Sequence, residues 1–198
     1  MKLYITTPSP FARKVRIVAH EKGLADRIEE VAVDPYGNDP LLLATNPVVQ
    51  VPTLIAEDGQ PLNDSPVICD YLNRIGSGAD LLASDTGAWL KIKRLETLGN
   101  QALEMGVKLV LEKRRPENER SASWMERWTT HIGRALDALE AEDLSADDIN
   151  MGSLTAAIAA SWISFRHPDY EWKSTRPKLA AFAATMEERD SFKATSPL

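Results

Sequence analysis

Asn46-Pro47-Val48-Val49-Gln50-Val51-Pro52-Thr53-Leu54 is the stretch whose reading decides the fold. Pro52 opens an apolar, β-prone run rather than sitting inside one, as a residue with no N–H to give a sheet ladder must. Val51 to Ala56 therefore reads as a strand. Glu57-Asp58-Gly59-Gln60 is a hairpin signal, which predicts a short antiparallel strand around Leu62. Working back toward the N-terminus, Leu41 to Thr45 is a short helix and Ile28 to Val33 alternates like a strand. Phe11 to Lys22 follows a helical period, with Phe11, Val15, Val18 and Ala19 on one face and Gly23 in place for a C-cap. Lys2 to Ile5 is a first short strand. Forward of the hairpin, Ser65 to Ile75 returns to helix. The order β-α-β-α-β-β-α, a parallel pair followed by a hairpin, makes a compact α/β unit.

The pattern changes at Gly76-Ser77-Gly78-Ala79-Asp80, the start of a linker running to about Thr86. Helical periodicity then continues almost unbroken, near 87–113, 119–141, 153–166 and 177–188, with breaks at Pro116 and over Asp143 to Asn150. The expected division is an α/β domain over 1–76, a linker over 77–86, and an all-helical domain over 87–198.

Composition bounds the function. With 43% hydrophobic and 26% charged residues in 198, the chain is an ordinary globular sequence, long enough to bury a core without staples. A net charge of −6 disfavours a general nucleic-acid or anionic-membrane binder. One cysteine, Cys69, excludes an intrachain disulfide, and three scattered histidines leave no zinc-ligand spacing. Cys69 lies on an apolar helix face and reads as a buried small hydrophobe. His167, after Arg166, reads as a cation at a helix C-terminus. No 18-residue apolar run occurs, so a cytoplasmic setting is the expectation.

Three segments of the α/β unit carry candidate chemistry. Ser9-Pro10-Phe11 puts a hydroxyl at a helix N-terminus, where an anion is favoured; it equally reads as an ordinary N-cap with Pro at N1. Val51-Pro52, if cis, turns the Val51 N–H and C=O toward a ligand; if trans, it is a plain strand start. Asp64-Ser65-Pro66 reads as a helix cap, and also as a carboxylate site with Asp64 free to face an ammonium.

In this order and at this spacing, Ser9-Pro10-Phe11, Val51-Pro52 and Asp64-Ser65 resemble the thioredoxin-like N-terminal domain of the glutathione S-transferase family, in its bacterial, serine-type, YibF-like group. Arg134-Ala135-Leu136-Asp137-Ala138-Leu139-Glu140 and the Pro177…Arg189-Asp190-Ser191-Phe192 ending extend the resemblance over essentially the whole chain. It implies the family's fold, glutathione as co-substrate, a homodimer, and detoxification-type conjugation of a small hydrophobic electrophile held around Met105, Leu109 and Glu112. It implies that Ser9 hydrogen-bonds the glutathione sulfur and that Val51, before cis Pro52, pairs with the cysteinyl backbone. Asp64 and Ser65 would hold the γ-glutamyl end. Gln50 would reach the glycyl carboxylate through a neutral hydrogen bond, where relatives often place a Lys.

There are departures. No Cys lies near the first helix start, which argues against the cysteine-type reductases. No Tyr stands at the Ser9 position, and Tyr4 reads as core. Ser153-Leu154-Thr155-Ala156 keeps an N-cap but puts Ala at N3, so half a capping box is expected at the buried helix. Two rival functions remain at this level: a non-catalytic interaction or regulatory protein on the same fold, and a glutathione-dependent dehalogenase, isomerase or peroxidase.

Overall fold

The structure, a computed structural model, describes residues 1–197. The chain folds as two compact units. Met1–Leu81 and the segment from Arg189 onward make the first, and Leu82–Glu188 makes the second. The expected helical domain ran to residue 198. In the structure the chain from Arg189 instead returns to the first unit, and Leu198 lies outside the described residues.

The first unit holds a four-stranded sheet in the order β2-β1-β3-β4. β1 (Lys2–Ile5) runs parallel to β2 (Glu29–Ala32) and antiparallel to β3 (Thr53–Ile55), which pairs with β4 (Pro61–Asn63). The helices are α1 (Pro10–Glu21), α2 (Pro40–Thr45) and α3 (Ser65–Ile75). This is the predicted order. β3 begins two residues later than expected, because Pro52 has no N–H for the ladder.

Strand periodicity sorts the side chains to two faces. Tyr4, Val33 and Leu42 form a buried cluster, against which Val31, Val49, Val51 and Ile55 pack. Leu3 and Ile5 point to the other face, and Leu3 stands opposite the fully buried Leu54. Each such leucine contributes about 1.5–3 kcal/mol by leaving water. α1 and α3 pack on each other and bury Val15, Val18, Ile68 and Leu72. Cys69 is fully buried, as its apolar helix face implied. At the C-terminal end a short helix that periodicity did not indicate, Asp190–Ala194, packs against α1.

The second unit is α-helical: α4 (Thr86–Arg114), α5 (Ala122–Glu140), α6 (Met151–Arg166) and α7 (Pro177–Glu187), with 3-10 turns at Glu117–Glu119 and Lys173–Thr175. α6 is buried nearly all round, from Met151 through Ala160 and again at Trp162 and Ile163, the mark of a central helix. Gly99 and Gly152 let α4 approach it. A Cβ at Gly152 would sit 2.7 Å from the Ile92 carbonyl, and one at Gly99 3.0 Å from the Thr155 carbonyl.

Two expectations are corrected here. α6 starts two residues earlier than expected, and its capping box is complete. Asn150 is the N-cap; its Oδ1 accepts the Ser153 N–H at 3.0 Å, and Ser153 Oγ accepts the Asn150 N–H at 2.9 Å. Ser153 is thus the N3 partner, not the cap. His167 does stand at the C-terminus of α6, as its C-cap, but it is buried, which disfavours the expected cation. It is 3% exposed, and burial, reinforced by the nearby positive Lys113 and Arg166, pushes its pKa below the usual histidine value against the opposing bond to Gly106. Its Nε2 lies 3.1 Å from the Gly106 carbonyl oxygen, an acceptor, which puts a proton on Nε2.

Candidate functional site

Register brings the three candidate segments to one end of the sheet. Tyr4 stands opposite Thr53, and Thr53 opposite Asn63. The C-terminal end of β1, the start of β3 and the end of β4 are therefore neighbours. The loop carrying Ser9 leaves β1 there, Val51-Pro52 enters β3 there, and Asp64-Ser65 follows β4 there. Two helix N-termini, those of α1 and α3, open from the same edge, each carrying partial positive charge.

Ser9 is the N-cap of α1, in extended conformation, with Pro10 at the first helical position. Its Oγ accepts the Ala12 N–H at 3.2 Å, while its own N–H donates to the Thr6 carbonyl at 3.0 Å. Ser9 is thus the N-cap, and a hydroxyl that accepts one bond still has a proton to donate. Among the described residues no acceptor takes that proton. The first turn of α1 carries no acidic residue to offset the helix dipole.

The Val51–Pro52 peptide is cis. Among the described residues, neither the N–H nor the C=O of Val51 has a hydrogen-bond partner. Its side chain is anchored in the Tyr4–Val33–Leu42 cluster. Gln50 is exposed, and its backbone carbonyl is held within the protein.

Asp64 occupies the N-cap position of α3 with φ 70° and ψ 124°, and its side chain makes no cap bond. A non-glycine residue in that region costs on the order of 1–3 kcal/mol, and such residues gather at functional sites. Asp64 is exposed, leaving its carboxylate open to solvent. Ser65 is 2% exposed, yet its hydroxyl has no partner among the described residues. A hydroxyl at a helix N-terminus that no protein group meets fits a carboxylate ligand.

Two residues at this edge carry no mark in the sequence beyond an ordinary turn. Asn46 is 1% exposed and Thr53 fully buried. Asn46 Oδ1 accepts the Val48 N–H at 3.1 Å, an Asx turn that the Asn-Pro pair signals. Asn46 Nδ2 donates to Thr53 Oγ1 at 2.9 Å and to the Gln50 carbonyl at 3.1 Å, and Thr53 Oγ1 donates to that same carbonyl at 2.8 Å. Val49 between them has φ 51°, a conformation a β-branched residue adopts only when held. No group of His, Cys, Asp and Glu among the described residues could hold a metal ion. No helix among them is long and apolar enough to cross a membrane.

The edge therefore offers a hydroxyl proton at one helix end, an open backbone donor and acceptor, and a hydroxyl at a second helix end. That set suits an extended, peptide-like ligand with an anionic group toward each helix N-terminus.

Comparison with known proteins agrees. Residues 8–75 match the family model for the glutathione S-transferase N-terminal domain. The chain is 31% identical to the GST-like protein YibF of Escherichia coli (strain K12), over all of this chain and 98% of that one. Among solved structures, it is similar to a glutathione transferase family member from Pseudomonas fluorescens Pf-5 with bound glutathione. That likeness has 32% identity, covers 100% of this chain and 98% of the other, and has a TM-score of 0.95. A glutathione S-transferase from Methylobacillus flagellatus KT, with glutathione bound, shares 31% identity over 100% and 99% of the two chains, with a TM-score of 0.88. The fold expected from Ser9-Pro10-Phe11, Val51-Pro52 and Asp64-Ser65 is the fold found, and the chain belongs to the glutathione S-transferase family.

Proposed function

We propose that the protein is a glutathione transferase that activates the glutathione thiolate for attack on a small hydrophobic electrophile. The observation that carries this reading is one juxtaposition. The Ser9 hydroxyl proton, the Val51 N–H and C=O, and the Ser65 hydroxyl lack partners among the described residues and open on one edge of the sheet. Glutathione supplies a group for each. Its thiol meets Ser9, its cysteinyl N–H and C=O pair with Val51, and its γ-glutamyl carboxylate meets Ser65 and the N-terminus of α3. Asp64 faces the γ-glutamyl ammonium. The exposed Gln50 reaches the glycyl carboxylate through a neutral hydrogen bond, weaker than a lysine's charge pair. The two relatives whose structures hold glutathione support the same ligand.

The chemistry follows from Ser9. Its Oγ accepts the Ala12 N–H, which polarises the hydroxyl and strengthens its donation to sulfur. The N-terminus of α1 adds positive potential. A free thiol with pKa near 8.5 is about 3% ionised at pH 7; a fall of roughly two units makes it about three-quarters ionised, for about 2.7 kcal/mol of differential stabilisation. The thiol proton passes to water, and the thiolate forms the new C–S bond as a leaving group departs with its electron pair or, in an addition, as the electrophile's π pair shifts to the neighbouring atom and is protonated by water. Ionisation contributes about 25-fold, less what a less basic thiolate loses in nucleophilicity. Positioning the electrophile supplies the remainder. A homodimer in a cytoplasmic setting completes this reading.

Calorimetric titration of the purified protein with glutathione tests it. Binding in the micromolar to low-millimolar range is expected, followed by turnover with some member of an electrophile panel. A folded protein that does not bind glutathione overturns it, and points to the interaction or regulatory role instead.

A further inference from the structure

We infer that Asn46 and Thr53 are positioning residues for glutathione, and that they act by aiming the Val51 N–H at it. The inference rests on the proposed function and goes beyond it, because neither side chain is placed to touch the ligand.

One peptide plane, that between Gln50 and Val51, carries the effect. The Gln50 carbonyl accepts two hydrogen bonds, from Asn46 Nδ2 at 3.1 Å and from Thr53 Oγ1 at 2.8 Å. Both donors belong to buried residues, so the carbonyl points into the protein. The Gln50–Val51 peptide is trans, since the cis peptide is the next one. In a planar trans peptide the N–H and C=O point in opposite directions. Holding the Gln50 oxygen inward therefore turns the Val51 N–H outward, and no protein group among the described residues meets it.

The grip is closed on itself. Asn46 Nδ2 also donates to Thr53 Oγ1 at 2.9 Å, and Asn46 Oδ1 takes the Val48 N–H at 3.1 Å. The Asn46 carbonyl takes the Val49 N–H at 2.9 Å, at the residue whose φ is 51°. The Asn46 backbone is itself anchored to α2 through Leu42 O at 2.8 Å. Losing the Thr53 hydroxyl leaves the plane held from one side only. The Val51 donor then samples directions that cannot meet a ligand, and affinity falls by the fraction of molecules misaligned.

Thr53→Val is the test, because valine keeps the shape and β preference of threonine and removes only the hydroxyl; Thr53→Ser restores it. Glutathione affinity is measured by calorimetry, and the ionisation of the bound thiol by its ultraviolet thiolate absorbance against pH. Melting temperature is followed in parallel. The expected result is affinity roughly five- to tenfold weaker in Thr53→Val, on the scale of one buried hydrogen bond, with near-normal affinity in Thr53→Ser. The bound thiol keeps its acidity in Thr53→Val, because Ser9 is untouched. A thiolate titration displaced in Thr53→Val would place the effect on Ser9 and overturn the inference. Equal affinity in Thr53→Val and the unaltered protein overturns it while leaving the proposed function intact. No binding by the unaltered protein overturns both.

Discussion

The carboxylate of Glu140, near the end of α5, accepts the backbone N–H of Leu179 at 2.6 Å in the first turn of α7. The neighbouring Lys178 N–H donates to the same carboxylate at 3.1 Å. The residue at the N-cap position of α7, Arg176, makes no side-chain cap bond. Glu140 thus does from another helix what an Asp or Ser cap does locally, and it places a negative charge against the positive end of α7. Glu140→Ala should lower stability by about 1–2 kcal/mol, and Glu140→Gln by less, read from urea denaturation midpoints at constant slope. Equal midpoints for the unaltered protein and Glu140→Ala would deny the cap any energetic role.

Within the first unit, Arg189 grips Glu21 in a bidentate pair, Nε to Oε1 at 3.2 Å and Nη2 to Oε2 at 3.0 Å, and Ser191 Oγ donates to Oε1 at 2.6 Å. The Glu21 side chain is largely shielded, so the pair is screened less than a surface bridge. The Arg13 guanidinium adds a bond to the Phe192 carbonyl at 3.2 Å and lies over the Phe192 ring. Glu21→Ala should destabilise the protein by about 1.5–3 kcal/mol. A double-mutant cycle with Arg189→Ala should return a coupling of about 1 kcal/mol. Additive single effects would mean that the Arg189–Glu21 pair adds no coupling and that the C-terminal segment is held by its other contacts.

Burial lowers the pKa of His167, and the positive Lys113 and Arg166 act in the same direction. Above about pH 6.5, the ordinary histidine value, the residue is neutral folded and unfolded and adds no pH dependence. Below that value the unfolded chain takes up the proton first, so unfolding is favoured. Stability falls as pH drops, until the lowered folded pKa is reached, at up to about 1.4 kcal/mol per pH unit for one proton. His167→Gln, whose amide can still donate to the Gly106 carbonyl, should remove this share of the slope. Parallel pH–stability curves for the two proteins would assign the acid sensitivity elsewhere.

Ser9 and Ser65 should separate on mutation. Ser9→Ala is expected to cut turnover on the order of tenfold or more while changing glutathione affinity little, because the hydroxyl acts on sulfur as charge develops. Ser65→Ala should chiefly weaken glutathione binding, by roughly tenfold for a charge-assisted hydrogen bond. Steady-state kinetics at saturating glutathione, set beside calorimetric affinities, resolves the two. Unchanged turnover in Ser9→Ala removes that residue from its role, and unchanged affinity in Ser65→Ala moves the γ-glutamyl end elsewhere.

Sequence alone determined what depends on neighbours within a few residues. Proline after Ser9, Val51 and Ser65, and glycine at 23 with φ 65°, restrict the backbone locally whatever else the chain does. The alternation of Ile28 to Val33 and the period of α1 follow from which faces must leave water. These features made the strand order, the family and the candidate residues legible. They left open whether Val51-Pro52 is cis, since one dipeptide allows both forms.

The tertiary structure decided whatever depends on partners distant in the chain. Asn46 reads as a turn residue, and only the return of β3 brings Thr53 beneath it to fix the Gln50 carbonyl. Arg189 reads as a charged residue after a helix, until 168 positions of intervening chain bring it to Glu21. Ser153 reads as a cap, and the bonds to Asn150 make it the N3 partner of one instead. His167 reads as a cation at a helix C-terminus, and packing beside Gly106 and Trp162 buries it, which lowers its pKa. In each case the residue's chemistry is in the sequence. Its role depends on desolvation and on a partner's position, and both are set only when the whole chain has packed.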